Sequence, residues 1–172
     1  MARGRSDTGP FLWHRKHDHR RCFRNALARA EALCRRRGSR LTALRRRVLE
    51  VVWQGHRPLG AYEILETMRV ERAAAAPPTV YRALDFLLGN GLVHRIESLN
   101  AFVGCSDPGP PHGGQFLICR TCGTAAELND PRIALAIEDS ASETGFHVHH
   151  PTIEVSGLCP NCQPSDAKIT HG

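Results

Sequence analysis

The sequence predicts an α+β protein in two parts, an N-terminal winged helix-turn-helix domain followed by a small α/β domain. Apolar residues recur at helical spacing in four segments between residues 22 and 91, and a hairpin pattern follows them. Two C-x-x-C pairs lie in the remaining part of the chain. A Pro- and Gly-rich stretch separates the parts. The 172 residues therefore divide into a disordered basic arm (1–21), a winged-helix domain (22–105), a linker (106–114), a second domain (115–163) and a disordered tail (164–172).

Four helices and a hairpin account for the first domain. The first helix covers residues 22–38, and the second follows Thr42, whose side chain suits an N-cap. A third short helix covers residues 60–70, and Pro77-Pro78 opens the fourth, because proline is tolerated in a first turn. Residues 92–97 and 101–105 then form the hairpin. The expected core positions are Phe23, Leu27, Ala30, Cys34, Leu44, Val48, Val51, Val52, Tyr62, Leu65, Met68, Val80, Leu84, Leu87 and Leu88.

The second domain alternates strand, helix and strand. Residues 115–119 and 125–128 are predicted strands, and residues 130–144 have helical apolar spacing. The segment 146–155 is predicted to be a further strand. The helix therefore fills much of the gap between the two C-x-x-C pairs.

Composition and charge narrow the class of protein. A chain that is 41% hydrophobic and 23% charged is typical of a soluble globular protein. No apolar run approaches the roughly 20 residues of a membrane span, and the longest near the N-terminus is Phe11-Leu12-Trp13, too short for a secretory signal. We therefore expect a cytoplasmic protein in a reducing compartment, with no membrane partner.

Basic residues concentrate at one end of the chain. Residues 1–47 hold 15 of the 23 Lys and Arg and only three acids, whereas the remainder has eight basic and fourteen acidic residues. A solvated basic tail is the alternative interpretation. Because the charge runs directly into a helix-turn-helix pattern, we interpret it as a surface for DNA.

The fourth helix has the pattern of a DNA-reading helix. Val80 and Leu84 face the core, which leaves Thr79, Tyr81 and Arg82 outside the apolar stripe. An arginine there can contact guanine or phosphate, and a tyrosine can pack on a thymine methyl group. The alternative is an ordinary amphipathic helix with a surface arginine.

Two cysteine pairs carry the strongest chemistry in the sequence. Each C-x-x-C turn presents two thiolates, and two turns complete the tetrahedron that Zn²⁺ prefers. A closed four-thiolate site has no open position and is structural. A redox dithiol is the alternative. The predicted zinc ligands are Cys119, Cys122, Cys159 and Cys162.

A second group of metal-binding residue types spans the boundary between the two domains. His94 and Cys105 belong to the hairpin, His112 to the linker and Glu127 to the second domain. Separately each is an ordinary polar side chain. Together they form a candidate second zinc site, closed by four protein ligands and so suited to sensing rather than catalysis.

Two stretches and the paired C-x-x-C motifs resemble the ferric uptake regulator family, and within it the zinc uptake regulator branch. The stretches are Pro-Pro-Thr-Val-Tyr-Arg-Ala-Leu-Asp-Phe-Leu (77–87) and Gly-Leu-Val-His-Arg-Ile-Glu-Ser (91–98), and the resemblance covers about residues 24–163. It implies a homodimer whose second domain dimerises, with two Zn²⁺ per chain, that binds double-stranded operator DNA and represses zinc-uptake genes. The implied structural ligands are the four cysteines, and the implied sensing ligands are His94, Cys105, His112 and Glu127. The implied DNA contacts are Tyr81 and Arg82.

Departures from the family pattern bear on which metal is sensed. The iron branch carries a His-rich run before the first C-x-x-C, but here the residues at 113–116 are Gly-Gly-Gln-Phe. With Cys105 as a thiolate ligand, this favours zinc over iron or peroxide sensing. A regulator responding to iron, manganese, nickel or peroxide remains an alternative, as do a zinc hydrolase, a thiol oxidoreductase and a zinc buffer; we expect no enzyme.

Two smaller hypotheses concern other polar residues. His147, His149, His150 and Glu154 are candidates for a further metal site. Glu66 and Arg69 lie one turn apart on the third helix, and they are expected to pair either within that helix or between neighbouring dimers on DNA.

Overall fold

A computed structural model describes residues 19–71, 76–109, 113–149 and 151–164. Most of the predicted basic arm, most of the tail and the predicted ligand His112 lie outside the described residues. The elements in chain order are α1 (His19–Arg36), α2 (Ala43–Val52), β1 (Leu59–Gly60), α3 (Ala61–Glu71), α4 (Pro77–Gly89), β2 (Val93–Ile96), a 3₁₀ turn (Glu97–Leu99), β3 (Ala101–Gly104), β4 (Gln115–Cys119), β5 (Ala125–Leu128), α5 (Pro131–Ser142) and β6 (Ile153–Gly157).

The helical domain forms around one apolar core. Thr42 caps α2 as predicted, since its side chain accepts a hydrogen bond from the Arg45 backbone N–H. Pro77 and Pro78 occupy the first turn of α4. The predicted core is confirmed at every position but one, with Phe23, Leu44 and Leu88 half-buried against it. α1 begins at His19, three residues before its predicted start, so the basic arm is shorter than expected.

Tyr62 is the position where the core prediction is wrong. Its side chain is 69% exposed, whereas Ile64, Leu65 and Met68 on the same helix are buried. On α3 these three residues form the inward stripe, and a residue two positions before Ile64 points about 200° away around the helix. Tyr62 therefore faces solvent.

The wing is a three-stranded antiparallel sheet in the order β1-β3-β2. The predicted hairpin is confirmed, with a 3₁₀ turn between its strands and Asn100 in the left-handed conformation at φ 46°. β1 was not predicted, because a strand of two residues has no alternating pattern to detect.

The second domain contains a three-stranded sheet in the order β5-β4-β6, with β6 parallel to β4. The predicted strand over 146–155 is wrong in its first half. Gly145, at φ 75°, ends α5, and the Phe146 N–H bonds back to the Ala141 carbonyl. These residues therefore close a helix end, and the strand starts only at Ile153.

A small apolar cluster joins the two domains. Ile96 of the wing packs with Phe116, Ile118 and Ala125 of the second sheet, and Val103 lies against them. The Ala125 N–H also donates to the His56 carbonyl at 3.1 Å. Within the described ranges, no helix is both long enough and apolar enough to cross a bilayer.

Gly104 offers a direct test of the packing between the wing and α2. A Cβ at this position would stand 2.2 Å from Trp53 Cε2 and 2.3 Å from Nε1. We expect Gly104→Ala to lower the free energy of unfolding by about 1–3 kcal/mol, as overpacking does. Gly89→Ala is the control, because its Cβ would meet nothing within 4 Å. Urea unfolding of the metal-loaded proteins measures both, and equal midpoints for Gly104→Ala and the unsubstituted chain would contradict the packing described.

Candidate metal centres and nucleic-acid interface

The sheet of the second domain brings the two C-x-x-C turns together. β4 and β6 are parallel neighbours with Cys119 opposite Gly157, so both turns leave the same edge of the sheet. Gly123, at φ 71°, allows the first turn to close. The sulfur atoms of Cys119, Cys122, Cys159 and Cys162 all lie within 4.8 Å of one another.

The spacing and polar surroundings of these sulfurs fit zinc. Zn–S bonds of about 2.3 Å require tetrahedral sulfur–sulfur edges of about 3.8 Å, and Cys122 Sγ lies 3.8 Å from Cys159 Sγ. The backbone N–H groups of Cys122 and Cys159 lower the pKa of the Cys119 thiol to about 6. The Thr124 hydroxyl lowers the pKa of Cys122. The neighbouring Cys159 side chain raises the pKa of Cys162, since the thiols compete for the same protons.

Three of the four predicted sensing ligands meet at the joint between the domains. His94 lies in β2, Cys105 directly follows β3, and Glu127 lies in β5. Their ligand atoms lie within 4.8 Å of one another, and His94 Nε2 is 2.9 Å from Glu127 Oε1. A nitrogen, a thiol sulfur and a carboxylate oxygen are all donors that zinc accepts. The joint therefore offers a mixed-donor metal centre, with the fourth predicted ligand, His112, outside the described residues.

The Glu127 carboxylate is oriented from both sides. The backbone N–H and the hydroxyl of Ser106 donate to Oε2 at 2.8 and 2.7 Å. Burial would raise the pKa of Glu127, but the hydrogen bond and charge of His94, together with Ser106, outweigh it and lower that pKa to about 2. The carboxylate is therefore ionised although its side chain is only 7% exposed.

Cys105 is in the opposite situation. Burial, and then the negative charge of Glu127, raise the pKa of its thiol far above the ordinary value. Without a cation beside it, the thiol therefore keeps its proton. His94 is held on its other side by the edge of Phe116, with ring centroids 5.3 Å apart.

The exposed face of α4 carries the predicted DNA-contacting residues. Thr79, Tyr81 and Arg82 are exposed, whereas Val80 and Leu84 are buried beneath them. Among the described residues Arg82 forms no ion pair, unlike the arginines of α2. Arg46 and Arg47 pair with Glu50, and Arg46 also pairs with Glu31. Arg45 instead stacks over the Phe86 ring at 3.7 Å.

The smaller hypotheses have different outcomes. Arg69 pairs with Glu66 at 2.9 Å within α3, which is the first of the two arrangements expected. Among the described residues, His147, His149 and Glu154 do not gather into a metal-binding group, and His150 lies outside them. Glu154 instead accepts hydrogen bonds from two backbone N–H groups of the wing, a contact that the sequence analysis missed.

A winged helix joined to a small α/β domain, with a four-thiol cluster and a mixed-donor cluster at the joint, defines a class of metal-binding helix-turn-helix proteins. The family model described as "Ferric uptake regulator family" matches residues 36–156. The chain belongs to this family.

Known proteins similar to the chain agree with this assignment. The zinc uptake regulation protein of Escherichia coli is 39% identical over 142 residues, which cover 82% of this chain and 83% of that protein. A solved structure described as a zinc uptake regulator complexed with zinc and DNA is 39% identical, with a TM-score of 0.76 over 81% of this chain and 94% of that one.

A third relative has been solved in two forms. The structure described as holo XcZur is 45% identical and has a TM-score of 0.74, covering 80% of this chain and 96% of that one. The form described as apo XcZur is 42% identical and has a TM-score of only 0.50, with 83% and 98% covered. Since identity and coverage barely differ, the parts are arranged differently in the two forms, and this chain matches the holo arrangement better.

The two clusters predict different consequences for their cysteines. Cys119→Ser should lose one zinc per chain and unfold the second domain, because structural zinc contributes about 10 kcal/mol or more in zinc-finger peptides. Cys105→Ser should lose the other zinc and leave the fold intact. Metal analysis and thermal melts of both variants measure this. Identical stoichiometry and melting for the two would show that the clusters do not have separate roles.

Proposed function

We propose that this chain is a zinc-responsive transcriptional repressor that binds operator DNA as a homodimer, with two Zn²⁺ per chain, and controls zinc-uptake genes. The observation that carries the proposal is the meeting of His94 and Cys105, from the winged domain, with Glu127 from the second domain. A metal centre built from both sides of a joint links metal binding to the orientation of the DNA-reading helix.

The donor set supports zinc as the signal. A thiol sulfur among the donors favours zinc over harder ions such as manganese. Cys105 is that donor, and Gly113 and Gly114 precede β4 where the iron branch of the family carries histidines. The relatives named for zinc uptake point the same way.

The mechanism we infer is a shift between domain orientations. A bound cation would supply the positive charge that replaces the Cys105 proton and draws the three donors together. Glu127 contributes a carboxylate already fixed by Ser106, so the second domain presents a rigid half of the site. His94 and Cys105 move with the wing, and α4 moves with them. The better match to the holo form of XcZur supports this arrangement as the DNA-competent one.

A second copy of the chain would cover α5 and its surroundings. α5 has no buried residue, although its apolar spacing predicts a covered face. Leu135, Phe146, Val155 and Leu158 are all more than 40% exposed in the second domain. Large apolar side chains left exposed in one domain mark a protein interface. A twofold dimer would set two α4 helices one DNA turn apart, about 34–36 Å.

Zinc titration tests the sensing function. We expect operator DNA carrying the chain's own promoter sequence to be bound when zinc is added and released when it is chelated. Cys105→Ser should remove this response, because the mixed-donor centre loses its thiolate. Gel shifts at fixed ionic strength measure it. Binding that is unaffected by zinc, or that responds only to iron or manganese, would contradict the proposal.

Arg82→Ala tests the DNA-reading face. We expect operator affinity to fall about 5- to 100-fold, as for loss of a base or phosphate contact worth about 1–3 kcal/mol. Arg132→Ala is the charge-matched control, because Arg132 lies in the second domain and pairs with Asp130. Zinc content should be unchanged in both. Equal affinity for the two variants at matched salt would remove Arg82 from the interface.

A further inference from the structure

One cross-strand row of the second sheet faces the wing. Glu127 of β5 is paired with Phe116 of β4, and Phe116 is in turn paired with Glu154 of β6. Directly opposed residues in a sheet project to the same face. The three side chains therefore form one row, which we name the docking row.

Each member of the docking row contacts a different part of the wing. Glu127 meets His94 and Ser106 at one end, and Phe116 packs with Ile96 in the middle. At the far end Glu154 contacts the 3₁₀ turn. The Glu97 N–H donates to Glu154 Oε1 at 2.6 Å, and the Ser98 N–H donates to Oε2 at 3.1 Å.

The 3₁₀ turn depends on Glu154 because it has no cap of its own. Its N-cap residue is Ile96, whose side chain is apolar, buried and makes no capping hydrogen bond. The first N–H groups of a helical turn have no partner within the turn, and a carboxylate is the acceptor that suits them best. The Glu97 carboxylate does not serve, since it lies beside Arg95 at 3.3 Å. The cap therefore comes from the other domain.

We propose that Glu154 is a positioning residue that holds the wing in the DNA-competent orientation without touching metal or DNA. The inference rests on the proposed function and adds a second attachment to it. Zinc would act at the Glu127 end of the docking row, whereas Glu154 acts at the opposite end by direct hydrogen bonds. The strength of the Glu154 contact then sets how much zinc the repressor needs.

The effect on zinc response follows from the coupled equilibrium. When only a fraction of molecules has the competent orientation, the apparent dissociation constant for the ligand rises by the inverse of that fraction. Losing Glu154 lowers this fraction and leaves every metal ligand in place. The zinc concentration for half-maximal operator binding should therefore rise, while operator affinity at saturating zinc should stay close to that of the unsubstituted protein.

Glu154→Gln tests the carboxylate side of the contact. We expect the zinc midpoint to rise about three- to tenfold, the lower part of the range for hydrogen bonds to a charged group. Amide hydrogen exchange over residues 93–100 should accelerate in the full-length dimer with its four-cysteine site loaded. Glu143→Gln is the matched control, because it removes the same charge from an exposed position at the end of α5. It should change neither quantity.

Two substitutions at Glu97 test the backbone side independently. Glu97→Pro removes the N–H that donates to Glu154, and Ile96, at φ −90° and ψ 107°, has the extended conformation that a following proline requires. Glu97→Gln removes the same side-chain charge but keeps the N–H. We expect only the proline variant to raise the zinc midpoint, and combining it with Glu154→Gln should add little, since both break one contact.

The outcomes separate this inference from the proposed function. Zinc-responsive operator binding by the unsubstituted protein, with an unchanged midpoint in Glu154→Gln or Glu97→Pro, overturns the positioning role alone. Lower operator affinity at saturating zinc with an unmoved midpoint also overturns it. Operator binding by the unsubstituted protein that ignores zinc overturns the proposed function and the positioning role together.

Discussion

The Glu127 carboxylate is the group on which the arrangement of the two domains depends. It is ionised and nearly buried, and burying such a charge is costly unless it is paired. Its partners, His94 and Ser106, belong to or adjoin the wing, so the charge is satisfied only when the wing lies against the second sheet. The same charge opposes ionisation of Cys105. The joint thus contains an anion, a protonated thiol and an imidazole that a divalent cation would reconcile.

The four-cysteine cluster supports this joint from a distance. It closes the edge of the sheet where β4 and β6 end, and β4 also carries Phe116 at the centre of the docking row. The chain leaving the cluster returns to the winged domain, since the Ala125 N–H bonds to the His56 carbonyl. Loss of the cluster would therefore disturb the strand that positions both Glu127 and Glu154. One centre shapes the sheet, and the other uses that shape.

The sequence predicted most of the fold and both ligand groups, for identifiable reasons. Cysteine pairs and isolated His and Glu residues are recognisable because few residue types bind zinc, and apolar spacing located α1, α2 and α4. Local patterns failed where a distant contact decides the outcome. Tyr62 shows the right residue type on the wrong face, and the start of β6 depends on Gly145 ending a helix. The contact of Glu154 with the wing joins residues 57 positions apart, and nothing near Glu154 in the sequence marks it.

The modest apolar contact between the domains makes control by a single ion possible. The cluster at the joint consists of Ile96, Phe116, Ile118 and Ala125, with Val103 against them, whereas the winged domain has a core of twenty buried residues. Contacts of a few apolar side chains leave relative domain motion as the default. A larger cluster would fix the orientation of α4 at every zinc concentration, and a smaller one would leave an ion too much orientational freedom to overcome. Polar contacts at the two ends of the docking row let the chain adjust this balance without altering either core.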